Sequence, residues 1–172
     1  YGDEGLNAAA ELALKDAVAA APSGACAAIA GGQLARLAAL PLFDAGTGDQ
    51  VRQAAAAFDS PIAVLATHLR SKAVSKALLA ELRCERAELL MAAGLRLSDP
   101  RLYEAAIAEL DKLTVRLDAA YEPLARARTV ALAASARVGF GRILCRIEDI
   151  AEGVEMLVAA LDTVTPDHSP LD

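Results

Sequence analysis

Residues 138–144, VGFGRIL, contain two glycines separated by one residue. Such a pair can cradle a phosphate, because backbone N–H groups approach the anion closely where no side chain intervenes. A cradle needs its glycines in a loop between a strand and a helix N-terminus. Gly139 and Gly141 instead lie in an apolar run with helical spacing and no strand before it. The sequence therefore predicts a close helix crossing, whose packing would offset the ~0.5–1 kcal/mol that glycine costs in a helix.

Other residue types that carry out chemistry are scattered. His68 and His168 are far apart and belong to no cluster with zinc-ligand spacing. No serine has the flanking glycines of a hydrolase nucleophile. The acidic residues Glu148, Asp149 and Glu152 fall in the first turn of a predicted helix, where negative charge stabilises the helix dipole. We therefore expect no catalytic site, no metal site and no cofactor.

The sequence contains three cysteines, Cys26, Cys84 and Cys145, which are far apart and form no C-x-x-C motif. An odd and sparse set is typical of free thiols in a reducing compartment and not of a disulfide framework. Cys84 and Cys145 lie in apolar runs with helical spacing, which predicts that both are core thiols. We therefore expect three free thiols and a cytoplasmic protein.

The composition of the 172-residue chain indicates an all-helical protein. Hydrophobic residues make up 55% of it, but much of this is alanine; aromatic residues are only 3%, and there is no tryptophan. Alanine has the highest helix propensity and lets helices pack closely. The length allows one domain with a proper core and is short for several.

Charge and hydropathy argue against two classes of partner. The formal net charge is -6, whereas nucleic-acid-binding domains concentrate excess lysine and arginine, so we expect no nucleic acid. The longest uncharged stretch, 17–35, is mostly alanine and glycine and is interrupted by Pro22, so we expect no membrane span. The sequence begins with Tyr1 and not with methionine, which indicates a processed or excised piece in which no targeting segment would be visible.

Prolines and capping residues divide the chain into helices. Pro61, Pro100 and Pro170 each follow a capping residue and suit the first position of a helix. Together with the apolar spacing they predict seven helices, over about 3–21, 24–40, 49–59, 61–97, 100–120, 123–146 and 148–164. The fourth is unusually long and loses its helical spacing midway, so we expect a kink or break near Ser71.

Two segments of the sequence match each other. Residues 91–113 align with residues 138–160 at an offset of 47 (138 − 91). The matched positions, small on small or aliphatic on aliphatic, include Gly94 with Gly141, Ala106 with Gly153, Leu97 with Leu144, Ile107 with Val154 and Leu110 with Leu157. Internal periodicity of this size is typical of helical solenoids.

The spacing within each segment resembles the tetratricopeptide repeat, a helix pair with small residues at set positions. The matching residues are Gly94 and Ala106 in the earlier unit, and Gly141, Gly153, Ala160 and the displaced Pro166 in the later one. The family's tryptophan and tyrosine are replaced, by Leu90 and Leu97 in one unit and by Arg137 and Leu144 in the other. The resemblance covers about 74–172, and 161–172 is similar to bacterial arrays of such repeats.

The resemblance implies an all-α fold: a right-handed solenoid of antiparallel helix pairs with about seven helices. It would form one domain over 1–172. In that domain 1–60 is a divergent helical part, 61–122 and 123–166 are two helix pairs, and 167–172 begins a further, truncated unit.

The resemblance also implies a function, that of a protein–protein interaction scaffold that binds a partner peptide or helix on its concave face. The side chains expected on that face are Glu88, Met91, Leu95, Val138, Arg142, Cys145 and Arg146. Arg142 and Arg146 are spaced i, i+4 and would share one helix face. Two guanidiniums there suit an acidic side chain or a C-terminal carboxylate. The alternative is solvated arginines whose stems cover apolar surface.

A second hypothesis, from another functional class, stays open. The chain would then be a non-catalytic regulatory or self-association domain, excised from a larger signalling or enzymatic chain, that forms a homodimer. An ordered groove with exposed arginine or leucine favours the scaffold, whereas burial of that face in a symmetric dimer favours self-association. Neither hypothesis describes an enzyme.

Overall fold

The computed structural model describes residues 4–20, 24–68, 76–118 and 122–163. Within these ranges every regular element is helical and no strand occurs, which confirms the predicted all-α class. The elements are α1 (Glu4–Ala20), α2 (Ala25–Ala39), a 3-10 turn (Leu40–Leu42), α3 (Gly48–Ala56), α4 (Asp59–His68), α5 (Lys76–Leu97), α6 (Pro100–Arg116), α7 (Pro123–Leu144) and α8 (Ile147–Thr163).

Most predicted helix bounds lie within a few residues of these elements. The predicted helix over 61–97 corresponds to two elements, α4 and α5, and the break expected near Ser71 lies outside the described residues. Helix α4 begins at Asp59, so the predicted start at Pro61 is wrong by two residues. Pro100 occupies the start of α6 as predicted, and Asp99 caps that helix by accepting a hydrogen bond from the Arg101 N–H at 3.0 Å.

The chain divides into two compact units, residues 1–82 and residues 83–172. The division falls inside α5, so this helix contributes its first residues to one unit and the rest to the other. The single domain and its subdivisions, as expected from the sequence, remain a prediction.

The first unit packs closely through small residues of α2. Five of its alanines are buried: Ala27, Ala28, Ala30, Ala35 and Ala39. A Cβ placed on Gly31 would lie 3.2 Å from Cγ of Pro61, so α2 and α4 are in close contact there. Larger buried side chains come from Val51, Phe58 and Leu65, which lie on or beside α3 and α4.

One helical stretch of the first unit, Ala25–Leu42, has the length and composition of a membrane span; it is the one candidate among the residues that the structure describes. A third of it is buried inside the protein. Core helices of soluble proteins have the same length and composition, so the stretch carries no argument for a membrane location.

The second unit packs α6, α7, α8 and the part of α5 from Arg83 onward. In α7, Ala133, Ala134 and Ala136 are completely buried, and their small side chains let neighbouring helices come close. The one buried hydroxyl of α7, that of Thr129, donates a hydrogen bond to the Ala125 carbonyl at 2.8 Å. The polar group is therefore satisfied within its own helix.

Partly buried ion pairs join the helices of the second unit. Arg83 of α5 binds Glu109 of α6 at 2.7 Å. Arg137 of α7 binds Asp111 of α6 at 2.9 Å and Glu152 of α8 at 3.1 Å. Arg83 and Glu109 are only 13% and 11% exposed, so solvent screens this pair less than an ordinary surface pair, whereas the carboxylates that bind Arg137 are 45% and 58% exposed.

Candidate functional site

Helices α5 and α7 end in the same way. Each is followed by a residue other than glycine in the left-handed conformation, Ser98 with φ 50° and Cys145 with φ 55°, and these positions are 47 apart (145 − 98). In both cases the next N–H reaches back to a glycine carbonyl in the last turns of the helix, from Asp99 to Gly94 at 3.1 Å and from Arg146 to Gly141 at 2.8 Å. This hydrogen bond, from an N–H to the carbonyl five residues earlier, is typical of a Schellman motif. The offset found in the sequence therefore recurs in the backbone.

The two glycines at these helix ends also make equivalent contacts. A Cβ placed on Gly94 would lie 2.8 Å from Cδ2 of Tyr103, and one placed on Gly141 would lie 2.9 Å from Cγ1 of Ile150. Tyr103 and Ile150 are themselves 47 residues apart (150 − 103). In each helix pair the glycine therefore makes room for a side chain of the following helix.

The VGFGRIL stretch lies inside α7, so its glycines are not in a phosphate-binding loop. A Cβ placed on Gly139 would lie 2.5 Å from Cε1 of Tyr103 in α6. Gly141 faces the turn into α8. A Cβ placed on it would lie 2.8 Å from the carbonyl oxygen of Arg146, the residue before α8. The pair therefore serves close helix packing on two sides, as the sequence indicates.

Three of the residues expected on the concave face, Leu95, Val138 and Arg142, line one groove of about 440 Å³ in the second unit. The other lining residues are Ser98, Tyr103, Ser135, Gly139, Ile143 and Leu157. The lining combines aliphatic side chains with two serine hydroxyls, the Tyr103 phenol and a single guanidinium. Leu95 is 61% exposed although it is a large aliphatic side chain.

Arg142 is the charged group of this groove. Its side chain is exposed in the last turn of α7, and it has no acidic partner among the residues that the structure describes. A guanidinium without a partner can bind a carboxylate through two parallel N–H donors. The groove can thus hold an anionic group beside an apolar one.

Tyr103 lies beneath the same groove, with only 4% of its surface exposed. Burial raises the pKa of its phenol, and the nearby positive charge of Arg142 acts in the opposite direction. The neutral phenol is therefore the stable form, and its ring occupies the space that Gly139 leaves.

Glu88 and Met91 do not line the groove. Glu88 binds Arg128 of α7 at 3.0 Å, with both side chains part-exposed. Met91 is half-buried in α5. Their expected role in partner binding remains a prediction.

The geometry corrects the expectation that Arg142 and Arg146 share one helix face. Helix α7 ends at Leu144, and the left-handed residue Cys145 turns the chain before Arg146. The Arg146 guanidinium then lies 2.9 Å from Asp149 at the start of α8 and 5.9 Å from the centre of the Phe140 ring. Arg146 therefore stabilises the turn between α7 and α8 and is separate from the groove.

The cysteines are free, and no bridge joins them, in the residues described. Cys84 is buried as expected, with its Sγ 3.6 Å from the Thr129 hydroxyl, and burial raises the pKa of its thiol. Cys26 is exposed. Cys145 is exposed as well, so its expected place in the core is wrong; the turn after α7 directs it outward.

Six of the nine residues that line the groove were not predicted from the sequence. Tyr103, Ser98 and Leu157 belong to other elements than the ones expected to form the concave face, and only the tertiary packing brings them to Arg142. Tyr103 had one usable signal, because the repeat aligns it with an apolar residue in a chain poor in aromatic residues. Within the described ranges, no cluster of His, Cys, Asp and Glu could hold a metal ion.

No protein-family model, no curated protein and no solved structure matches this chain. The groove beside Arg142 and the repeated helix ends are therefore the observations from which a function is proposed.

Proposed function

We propose that this chain is a protein–protein interaction scaffold, built as a solenoid of antiparallel helix pairs similar to tetratricopeptide repeats. The directions of neighbouring helices support this arrangement. Along α7 and α8, Gly141 lies near Ile150 whereas Ala134 lies near Gly153, so residue numbers rise in one helix as they fall in the other. The matched helix ends at Ser98 and Cys145 support a repeated unit.

The single observation that carries the proposed function is an exposed guanidinium without an acidic partner in the described chain, in a groove that also exposes aliphatic side chains. Arg142 binds a carboxylate of the partner, while Leu95 and Val138 contact a neighbouring apolar side chain. Ser98 and Ser135 supply hydroxyls that can donate to the same ligand or accept from it. The partner is a peptide or helix end with an acidic side chain or a C-terminal carboxylate next to an aliphatic residue.

A selection from a random peptide library with free C-termini tests this proposal. Wild-type protein is expected to enrich peptides that carry a carboxylate beside an aliphatic residue. The selected peptides should bind the Arg142→Ala variant at least about tenfold more weakly, a loss of roughly 1.4 kcal/mol. Arg142→Lys should recover part of the affinity, because lysine keeps the charge but lacks the paired donors.

The matched control is Arg101→Ala, which removes an exposed arginine outside the groove. Its affinity for the selected peptides should equal that of the wild type, and circular dichroism should show both variants to be folded. Selected peptides without the carboxylate pattern, or with equal affinity for Arg142→Ala, would show that the groove does not have this function.

A further inference from the structure

Helix α8 exposes a row of large aliphatic side chains, here called the α8 stripe: Ile147, Val154, Val158 and Leu161. Their exposed fractions are 76%, 48%, 56% and 72%. The successive spacings of 7, 4 and 3 residues place all four on one face of the helix. A different face of α8, with the buried Gly153 and Ala160, packs in the second unit.

The internal repeat identifies what covers the corresponding face of α6. At the offset of 47, Val154, Val158 and Leu161 correspond to Ile107, Asp111 and Thr114. None of the three α6 residues is fully exposed, and Asp111 binds Arg137 of α7 at 2.9 Å. At one of these three positions, Asp111, α6 therefore contacts α7, whereas Val154, Val158 and Leu161 of α8 are all exposed.

Helices α7 and α8 have opposite charge. Helix α7, which covers α6, contains four arginines and no acidic residue (Arg126, Arg128, Arg137 and Arg142). Helix α8 contains five acidic residues and no lysine or arginine. Two of them, Glu148 and Glu155, are exposed and follow the stripe along one edge, because they lie one position after Ile147 and Val154.

We infer that the α8 stripe is a docking site for a basic amphipathic helix of a partner protein. The apolar row buries the aliphatic face of that helix, and Glu148 and Glu155 bind the lysines or arginines at its border. The stripe spans 14 residue steps (161 − 147), or about 21 Å of helix axis, so the bound segment is about four turns long. This site is separate from the groove at Arg142, and none of its four apolar residues lines that groove.

Charge distinguishes this occupant from a second copy of the chain. If two copies docked through antiparallel α8 helices, the glutamates along one edge would face the same edge of the partner copy. Like charges opposed in this way destabilise a contact, whereas a basic border is attracted to it. A basic helix of a different polypeptide therefore suits the stripe better than an antiparallel second copy of α8.

The test uses a defined probe: a capped, dye-labelled synthetic peptide with the sequence of residues 123–144, whose net charge is +4. Fluorescence anisotropy with the full chain should show saturable binding that weakens as salt is raised from 0.05 M to 0.5 M. A second peptide with the four arginines replaced by glutamate should not bind. The Val154→Gln/Val158→Gln double variant, which removes apolar side chains without adding charge, should bind the basic peptide at least tenfold more weakly.

The matched control is Val115→Gln, because Val115 of α6 is 87% exposed and lies outside the stripe. This control should bind the peptide as the wild type does. Glu148→Gln/Glu155→Gln keeps the apolar row and should reduce both the affinity and its salt dependence, so the charge component is tested without a change in packing. Circular dichroism should show that all variants keep their helix content.

Two kinds of result would overturn the inference. Absence of binding, or equal affinity for the wild type and the Val154→Gln/Val158→Gln variant, would show that the stripe does not dock such a helix. A wild-type dimer in sedimentation equilibrium that becomes monomeric in the same double variant would show that the stripe is covered by a second copy.

Discussion

Gly141 has two opposing effects on stability, and their balance is decided by what surrounds it. Alanine is favoured over glycine in a helix by roughly 0.5–1 kcal/mol, so propensity alone would make Gly141→Ala stabilising. A Cβ there would lie 2.8 Å from the backbone oxygen of Arg146, and a backbone atom cannot move aside as a flexible side chain can. The steric effect therefore outweighs the propensity.

We predict that Gly141→Ala destabilises the protein, by about 1–3 kcal/mol, the usual cost of overpacking. Urea denaturation would measure the free energy of unfolding of this variant and of Ser135→Ala, an exposed position of the same helix. The control should be neutral or slightly stabilising. A stabilised Gly141→Ala variant would mean that α7 and α8 are not in close contact at this position.

Tyr103 should make stability depend on pH in the alkaline range. Burial raises the pKa of its phenol above the ordinary tyrosine value of about 10. Between the unfolded and folded pKa values the unfolded chain has lost this proton and the folded chain has kept it, so stability falls as pH rises. Below the unfolded value the contribution is fully present.

We predict that Tyr103→Phe reduces the loss of stability between about pH 9 and pH 11, because phenylalanine has no proton to lose. Thermal melting of both proteins across this range would provide the comparison. The melting temperature of Tyr103→Phe relative to that of the wild type should be constant below pH 9 and should rise with pH above it. A difference that does not change with pH would show that the phenol has the same environment in the folded and unfolded states.

At the scale of the elements, Arg137 of α7 binds carboxylates of two other helices, Asp111 of α6 and Glu152 of α8. Its side chain is only 16% exposed, so removing it loses the packing of its stem and its hydrogen bonds, whereas the carboxylates, 45% and 58% exposed, can be hydrated. We predict that Arg137→Ala destabilises the protein by about 0.5–2 kcal/mol. The measurement is the urea midpoint, compared with that of Arg101→Ala, whose exposed side chain should contribute little.

Arg137 contacts both α6 and α8, so its removal tests how far the three helices depend on it. If the free energy of unfolding changes as little in Arg137→Ala as in Arg101→Ala, the three helices do not depend on this residue. Raised salt should reduce the difference between the variants only in part, because a half-buried pair is screened less than an exposed one.

The elements also show which parts of the site could be predicted from sequence. The helices followed from alanine content, apolar spacing and prolines, and Gly94 and Gly141 stood out because the repeat aligns them. The end of α7 at Leu144 could not be predicted. The turn there depends on Cys145 in a left-handed conformation that its residue type does not favour. The prediction that Arg146 shares one helix face with Arg142 was wrong for this reason.

The groove is a second case in which local pattern was insufficient. Leu95, Val138 and Arg142 could be selected because they share a face of equivalent helices in the repeat. The position of Tyr103 under Arg142 could not be predicted in this way. It depends on the close approach of α6 to Gly139 of α7, and no local spacing encodes the contact between these two helices. Tertiary contacts between distant positions decide such a neighbourhood.

At the scale of the whole molecule, the division between residues 82 and 83 was not visible in the sequence either. Unit boundaries are usually predicted from glycine, proline or charge-rich linkers. This boundary falls inside α5, where the sequence LLAELRCERAELL is an uninterrupted helical run without glycine or proline. A continuous helix gives no compositional signal of the point where its contacts change.

The cysteines allow a prediction about the whole chain. Cys26 and Cys145 are exposed, whereas Cys84 is buried and its thiol pKa is raised by burial, which disfavours the reactive thiolate. We predict that alkylation of the native protein without reductant modifies two cysteines rapidly and the third only when the protein unfolds. Mass spectrometry would count the labels; three in the native protein, or fewer than three in denaturant, would contradict the assignment.

The positions of the two accessible thiols have a further practical consequence. Cys26 belongs to residues 1–82 and Cys145 to residues 83–172, so each compact unit has one attachment point. Labelling the native wild-type chain with a donor and an acceptor dye would therefore make it a molecular ruler without any mutation. Energy transfer between the dyes, measured molecule by molecule, would report whether the two units keep one fixed separation or sample several.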